Sequence, residues 1–209
     1  MIGYYNYTVI LTYLGLASGM CGIFAAIKSH VGAALICLML CGFFDMFDGL
    51  VARTRERTKN EKKFGIELDS LSDLICFGVL PAVIGYTLGL NTWYYIIPLI
   101  LYVLAALIRL AYFNVMEDAR QEQTTEVRKS YEGLPVTTVA LKIPLLYPLV
   151  LLAGNFVNIA YGAMLLVIAF LFLSKIKIVK FKLKGMIALV IFGILELLLL
   201  ILTRSLWKL

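Results

Sequence analysis

Charged residues are scarce in this sequence. Only 15% of its 209 residues are charged and 62% are hydrophobic, with a mean hydropathy of +0.92. Soluble domains are close to half apolar and about one quarter charged. The scarcity of charge therefore excludes an ordinary water-soluble domain.

Nitrogen and sulfur metal ligands are also few. The chain has one histidine, His30, and four cysteines, which all lie in apolar stretches without a Cys-x-x-Cys pair. This pattern argues against a zinc or redox centre, and we interpret the cysteines as small buried hydrophobic residues. No nucleic-acid-binding module is present, so we expect the net charge of +6 to face anionic lipid headgroups.

Long apolar runs are abundant. A helix needs about 20 mostly apolar residues to cross a bilayer. The runs that approach this length are Val9–Ile27, Val31–Phe44, Leu68–Leu90, Trp93–Met116, Val136–Ala153, Phe156–Leu173 and Met186–Leu202. They predict an all-α integral membrane protein, a bundle of about six to seven transmembrane helices. We expect the first run to be a retained helix, because no basic region or cleavage site of a signal peptide precedes it.

The basic residues predict how the helices are oriented. They concentrate in the linkers 53–63, 117–135 and 175–184. Alternation of seven spans places all three linkers on one face, which the positive-inside rule makes cytoplasmic. We therefore expect a multi-pass protein of the cell membrane with a cytoplasmic N-terminus and the tail Arg204–Leu209 outside.

Four aspartates interrupt this apolar background. Asp45 and Asp48 are one helical turn apart after the second run, and Asp69 and Asp73 are one turn apart in the third. Carboxylates near a bilayer are costly and usually functional, and four together need cations to remain ionised. With no histidine or thiol in the set, the ligands favour Mg²⁺, Mn²⁺ or Ca²⁺, and four carboxylates could hold two ions.

Small residues and an arginine accompany the aspartates. A nucleotide could lie close to the helix backbone where side chains are small or absent, as they are at Gly49, Ala52 and Gly65. Arg53 could neutralise phosphate. Two simpler interpretations are helix packing by the small residues and salt bridges between the aspartates and the adjacent arginines. The combined set of four carboxylates and three small residues favours a diphosphate site over either.

The pattern Asp45-x-x-Asp48-Gly49-x-x-Ala52-Arg53, followed by Gly65-x-x-x-Asp69-x-x-x-Asp73, resembles the signature of the CDP-alcohol phosphotransferase family. These membrane enzymes transfer a phospho-lipid group from a cytidine diphosphate ester to an alcohol. The stretches most similar to the serine-using branch are LDSLSDLICFGVLPA (68–82), IRLAYFN (108–114), YEGLPVT (131–137) and LSKIKIVKF (173–181).

Two features depart from the family pattern. The eleven residues between Arg53 and Gly65 are about three more than expected, nearly one helical turn. Gly15 stands where asparagine is expected. The resemblance therefore provides no direct counterpart for nucleotide contacts from the first helix or from residues 59–63, and Asn6 and Thr8 are the nearest polar candidates beside the first helix.

The resemblance implies a site and a chemistry. Asp45, Asp48, Asp69 and Asp73 would bind one or two divalent ions that hold the diphosphate of a CDP-lipid, with Asp73 as general base. Transfer of a phosphatidyl or archaetidyl group to the hydroxyl of L-serine would release CMP and need no organic cofactor. The residues that would line the CDP-lipid site are Gly49, Ala52, Arg53, Gly65, Asn6 and Thr8.

The resemblance also implies a homodimer and covers most of the chain. We assign residues 1–184 to the membrane domain of this family and 185–209 to an additional C-terminal transmembrane helix packed on the same domain. Ester and archaeal ether lipids carry the same headgroup, so both remain candidate substrates.

Serine as acceptor predicts a cation for its carboxylate. Arg109, in an otherwise apolar run, is the first candidate, with Lys142 and Lys175 as others. Simple snorkelling to the membrane interface is the alternative for all three. Glycerol 3-phosphate and inositol phosphate are alternative acceptors, which should require further arginines. Outside the family, a cation transporter or an intramembrane aspartyl protease is less consistent with four aspartates beside a basic linker.

Overall fold

The computed structural model describes residues 3–123, 130–179 and 183–202, and helices make up most of them. The helices are α1 (Ile10–Ile27), α2 (Val31–Val51), α3 (Lys59–Asp73), α4 (Leu80–Thr87), α5 (Trp93–Gln123), α6 (Val139–Leu151), α7 (Val157–Leu173) and α8 (Leu183–Leu202). Short 3₁₀ turns at Tyr7–Val9, Val136–Thr138 and Gly154–Phe156 lead into α1, α6 and α7.

The apolar helices correspond to the predicted runs. Five segments are long and apolar enough to cross a membrane: Tyr7–Ile27, Val31–Val51, Lys59–Thr87, Trp93–Arg120 and Gly154–Leu173. Two shorter apolar helices lie at Val136–Leu151 and Ala188–Leu198. The predicted all-α membrane fold is confirmed. The tail from Arg204, which we expect outside, lies beyond the described residues.

α1 packs against α2 along a stripe of small residues. Gly15, Gly19 and Gly22 are buried on α1, and a Cβ on Gly22 would lie 2.9 Å from the Cβ of Cys37. Small residues let membrane helices approach closely. This packing brings α1 beside the aspartates of α2.

The third span is one helix with a wider turn in its middle. α3 begins after the N-cap Thr58, which forms a capping box with Glu61. After α3 the chain passes through π-helical turns at Leu74–Val79 and continues as α4, with Pro81 in its first turn. Proline has no N–H to donate back along the helix, which accounts for the irregular turn before it.

Buried tyrosines attach this irregular turn to the rest of the bundle. A regular α-helix would pair the Phe77 carbonyl with the N–H of residue 81, which proline lacks. The Tyr102 hydroxyl on α5 donates to that carbonyl at 2.6 Å. The Tyr161 hydroxyl on α7 donates to the Pro81 carbonyl at 3.1 Å. The two bonds hold the third span against α5 and α7.

Two regions differ from the predicted linkers. The strands β1 (Ser130–Glu132) and β2 (Lys177–Val179) form a two-stranded antiparallel sheet that joins two segments predicted only as linkers. α5 continues beyond Met116, its predicted end, and Arg120 pairs with Glu117 at 2.5 Å one turn away. Such pairs stabilise polar helix ends, which hydropathy alone does not detect.

Candidate active site

Three aspartates from two helices converge. One carboxylate oxygen from each of Asp45 and Asp48 on α2 and Asp69 on α3 lies within 4.8 Å of the other two. Oxygen ligands lie about 2.0–2.6 Å from Mg²⁺ or Ca²⁺, so oxygens at this separation can share one ion. All three side chains are half-buried.

Asp73 lies on the same cavity, one turn further along α3. Its side chain is 8% exposed, and it lines a small cavity together with the other three aspartates. α1 contributes Thr12 and Gly15 to the lining, and the Thr12 hydroxyl donates to Asp48 Oδ2 at 3.4 Å. The four predicted aspartates therefore share one cavity, with three in a tight cluster and the fourth more deeply buried.

Two buried cysteines also line this cavity. The thiols of Cys41 and Cys76 both donate to the carbonyl oxygen of Gly15, at 3.3 and 3.4 Å. All four cysteines of the chain are free thiols. These bonds connect α2 and the π-helical turns to α1, which agrees with a packing role.

The donor set fits a hard divalent cation. Carboxylate oxygens are the ligands that Mg²⁺, Mn²⁺ and Ca²⁺ prefer, whereas thiolates favour softer metals. Within the described residues the tight cluster consists of Asp45, Asp48 and Asp69 only. The residues present therefore fit one divalent ion at this cluster, with Asp73 close by.

The small residues and the arginine of the signature lie in different environments. Gly49 is exposed, and apart from its chain neighbours and the backbone of its own helix no described atom lies within 4 Å of where its Cβ would be. Ala52 is half-buried and Arg53 is exposed. Gly65 is half-buried, and a Cβ there would lie 3.1 Å from Arg57 Nη1.

Arg57, which is not among the residues predicted for the site, is thus the arginine that lies over Gly65. Hydrophobic periodicity places residues on helix faces but says nothing of side chains in a linker. The available signal was its position directly before Thr58, the cap from which α3 begins.

Asn6 and Thr8 are engaged in the turn that leads into α1. Asn6 Oδ1 accepts hydrogen bonds from the Thr8 N–H at 3.0 Å and from the Thr8 hydroxyl. Asn6 Nδ2 donates to Glu61 Oε1 at 3.4 Å, which connects this turn to α3. Neither residue lines the aspartate cavity.

The three cations predicted for serine are dispersed. Arg109 is buried on α5 with its guanidinium 5.3 Å from the centre of the Phe113 ring. Lys142 on α6 is half-buried, and Lys175 is exposed after α7. None of the three lines the aspartate cavity.

A second, larger cavity opens between α2, α6 and α8. Its volume is about 660 Å³, and its walls are mostly apolar, with Phe43, Leu145 and Leu197 among them. Asp45 and Lys142 also line it. Because Asp45 belongs to both cavities, the apolar cavity reaches the aspartate cluster. The sequence offers no signal for it, since its walls come from three separate runs.

Glu196 on α8 is a buried carboxylate that is not among the predicted site residues. It is 6% exposed, and neither oxygen has a hydrogen-bond partner among the described residues. It lines neither cavity. The sequence signal that could have indicated this residue was a single acidic side chain in an apolar run.

The fold and the cluster define a class of protein, a polytopic helical membrane protein with a carboxylate site suited to divalent cations. The model of the CDP-alcohol phosphatidyltransferase family matches residues 5–203, which include all four aspartates. The chain belongs to the CDP-alcohol phosphatidyltransferase family, as its signature predicts. This family generally uses divalent metals, in agreement with the donor set.

Three named relatives align with most of this chain. The chain is 37% identical to the CDP-diacylglycerol–serine O-phosphatidyltransferase of Saccharomyces cerevisiae over 147 residues, which are 65% of this chain and 52% of the yeast protein. It is 33% identical to the archaetidylserine synthase of Methanothermobacter thermautotrophicus over 171 residues, 80% of this chain and 67% of that protein. The Bacillus subtilis CDP-diacylglycerol–serine O-phosphatidyltransferase is 26% identical over 183 residues, 85% of this chain and 92% of that protein.

The chain therefore spans about half the length of the yeast relative and two thirds of the archaeal one. No solved structure matches it.

Proposed function

We propose that this protein transfers the phosphatidyl, or archaetidyl, group of a CDP-lipid to the hydroxyl of L-serine and releases CMP. The observation that carries the proposal is the cavity in which Asp45, Asp48, Asp69 and Asp73 meet, in a chain that the family model matches over residues 5–203. Serine as acceptor is supported by the names of the relatives, which specify serine transfer or archaetidylserine synthesis.

The aspartates are the proposed metal ligands. Asp45, Asp48 and Asp69 provide the tight oxygen cluster, and Asp73 adds a fourth carboxylate on the same cavity. We propose Mg²⁺ or Mn²⁺, with Ca²⁺ also compatible with oxygen ligands, and two ions in total. When bound, such ions offset the negative charge of the diphosphate and of the leaving CMP.

Asp73 is the proposed general base. As the serine oxygen forms its bond to the phosphorus that bears the lipid, the bond from that phosphorus to the CMP oxygen breaks, and Asp73 accepts the serine proton. The burial of Asp73 supports this role, because it places the carboxylate away from bulk water. A single displacement of this kind inverts the configuration at phosphorus.

The CDP moiety is proposed to bind beside the small residues of the signature. The open space around Gly49 and the exposed side chain of Arg53 leave room for a nucleotide at the end of α2. Ala52 and Gly65 are proposed to line the same site, Ala52 with its short side chain and Gly65 with the Arg57 guanidinium beside it. Asn6 and Thr8 would approach the same ligand from the turn before α1, which contacts α3 through Glu61.

The lipid chains are proposed to occupy the apolar cavity between α2, α6 and α8. Its volume of about 660 Å³ is within the usual range of ligand cavities. The cavity shares Asp45 with the aspartate site, so a lipid held there has its headgroup near the cluster. Sideways entry between helices would let the substrate arrive from the bilayer.

The serine carboxylate is proposed to pair with Arg109, with Lys142 and Lys175 as further cations. Burial of Arg109 supports this choice, because a guanidinium in a partly dehydrated site binds a carboxylate more strongly than one in water. Glycerol 3-phosphate and inositol phosphate, the alternative acceptors, carry phosphates and would need more cations than one.

We also propose that the enzyme is a homodimer in the cell membrane with its site on the cytoplasmic side. The orientation is supported by the basic linker that precedes α3, since positive linkers stay in the cytoplasm. Both points can be tested separately from catalysis.

The decisive experiment supplies the purified protein with radiolabelled CDP-lipid, Mn²⁺ and one acceptor at a time. We expect CMP release and a serine phospholipid with L-serine, and neither with glycerol 3-phosphate or inositol phosphate. Ester and ether CDP-lipids in parallel reactions identify the lipid class. Release of CMP with a phosphorylated acceptor alone would refute the serine assignment, and no release with any acceptor would refute the activity.

A further inference from the structure

Arg57 lies in the linker between α2 and α3, directly before the N-cap Thr58. It is half-buried, whereas Arg53 and Arg55 in the same linker are exposed. Arg55 has a partner of its own, since its Nη2 lies 3.8 Å from Glu61 Oε1. Of these three linker arginines, Arg57 is therefore the least exposed to solvent.

The Arg57 guanidinium lies beside the face of α3 that carries the aspartates. Its Nη1 is 3.1 Å from where a Cβ on Gly65 would be, and Gly65 precedes Asp69 by one turn on the same helix face. The positive charge of Arg57 also attracts the Asp48 carboxylate, although the two are not among the ion pairs within 4.0 Å that the described residues form. Because glycine has no side chain, the guanidinium can lie against the helix at position 65.

This guanidinium retains hydrogen-bonding capacity. Arginine carries five N–H donors in a planar fork. The Nε of Arg57 is buried and has no hydrogen-bond partner among the described residues. A buried donor without an acceptor is unfavourable, so its position indicates a ligand that brings acceptor oxygens.

We propose that Arg57 binds the diphosphate of the CDP-lipid, an inference that rests on the proposed function. The aspartate cluster and its cations would hold the diphosphate oxygens from one side, and Arg57 would donate to them from the linker side. The guanidinium fork matches two phosphate oxygens at once. This residue lies in the linker that is longer than the family pattern.

A purely electrostatic role toward Asp48 would have different consequences. Arg57 would then stabilise that carboxylate, and its removal would change metal binding whether or not a nucleotide is present. A phosphate contact instead weakens only those ligands that carry phosphate. A comparison of CDP with cytidine separates the two roles.

The experiment measures equilibrium binding of CDP and cytidine to the full chain in detergent micelles at saturating Mn²⁺. The variants are Arg57→Ala, Arg57→Lys and, as a matched control from the same linker, Arg55→Ala. Loss of one charge-assisted, two-bond contact predicts that Arg57→Ala weakens CDP binding about ten- to hundredfold.

The other measurements have equally definite expectations. Cytidine lacks phosphate, so Arg57→Ala should bind it within about twofold of the wild type. Arg57→Lys keeps the charge without the fork and should fall between wild type and Arg57→Ala for CDP. Arg55→Ala should leave the affinity for both ligands unchanged.

Three results would overturn the role of Arg57: CDP affinities of Arg57→Ala and Arg55→Ala that agree, equal losses for CDP and cytidine, or a changed Mn²⁺ requirement with CDP affinity unchanged. If Arg57→Ala does not fold, Arg57→Lys supports the same comparison. If the wild type binds CDP and releases CMP with serine, but the Arg57 variants behave like Arg55→Ala, only the role of Arg57 is refuted and the proposed function stands. A wild type that binds no CDP removes the proposed function and this role with it.

Discussion

Replacement of Asp69 by asparagine should change stability in opposite directions with and without a divalent cation. Asparagine has nearly the same shape as aspartate but no charge. In the metal-free protein the substitution removes repulsion from the cluster with Asp45 and Asp48, and in the metal-bound protein it removes a ligand. A residue with only a packing role would not show this reversal.

The separation of the carboxylate oxygens sets the scale of the effect. Two unit charges at most 4.8 Å apart repel by at least about 3.5 kcal/mol at an effective dielectric constant of about 20. The three aspartates form three such pairs, so full ionisation costs at least about 10 kcal/mol, and asparagine at position 69 leaves only one pair. Proton uptake relieves part of the repulsion in the wild type, so the measured gain should be smaller and of the same sign.

Thermal unfolding in EDTA and in excess Mn²⁺ measures both directions. In EDTA, Asp69→Asn should unfold at a higher temperature than the wild type. Mn²⁺ at a hundred times its dissociation constant should stabilise the wild type by about 2.7 kcal/mol and the variant by much less. CMP release by the variant should fall at least about a hundredfold, which corresponds to about 2.7 kcal/mol of lost transition-state stabilisation.

Asp118→Asn is the matched control, because Asp118 is exposed on α5 and the same substitution there touches neither cavity. The reasoning is wrong if Asp69→Asn is less stable than the wild type in EDTA while Mn²⁺ stabilises both proteins equally. Near-normal turnover of Asp69→Asn in Mn²⁺ would refute the shared-metal site by itself.

Three further substitutions test other parts of the molecule. Asp73→Asn should abolish transfer while CDP-lipid still binds, and a chiral phosphorothioate CDP-lipid should give inversion with the wild type; net retention would mean that Asp73 attacks phosphorus. Arg109→Ala should raise the KM for serine about tenfold or more, as expected for loss of a charged contact, with CDP-lipid binding nearly intact; equal losses would place Arg109 in the nucleotide site or the fold. Gly133→Ala should destabilise the protein by about 1–3 kcal/mol, because φ is +73° and the new Cβ would lie 2.6 Å from the Phe172 carbonyl oxygen; an unchanged unfolding temperature would contradict this.

The membrane fold could be predicted because its causes are local. The length of each apolar run decides whether a helix can cross a bilayer, and all seven predicted runs contain apolar helices. The polar end of α5 and the pairing of β1 with β2 were not predicted. They depend on charge pairs and on a partner strand distant in sequence, which apolar periodicity does not report.

For the site, the sequence alone determined which aspartates share one face of a helix. The spacing of three or four residues between Asp45 and Asp48, and between Asp69 and Asp73, puts each pair on one side of its helix whatever surrounds it. The family signature could be read for the same reason, since it is a pattern of spacings.

Only the tertiary structure decided which residues of other helices and of the linker lie next to those helix faces. Oxygens from α2 and α3 come within 4.8 Å because α1, with its small residues, lets the surrounding helices approach. Arg57, rather than Arg53, reaches Gly65 because the Thr58 cap sets where α3 begins and so where the linker turns inward. The apolar cavity exists because α2, α6 and α8 leave space between them, and contacts between residues far apart in the chain cannot be inferred from the spacing within any one helix.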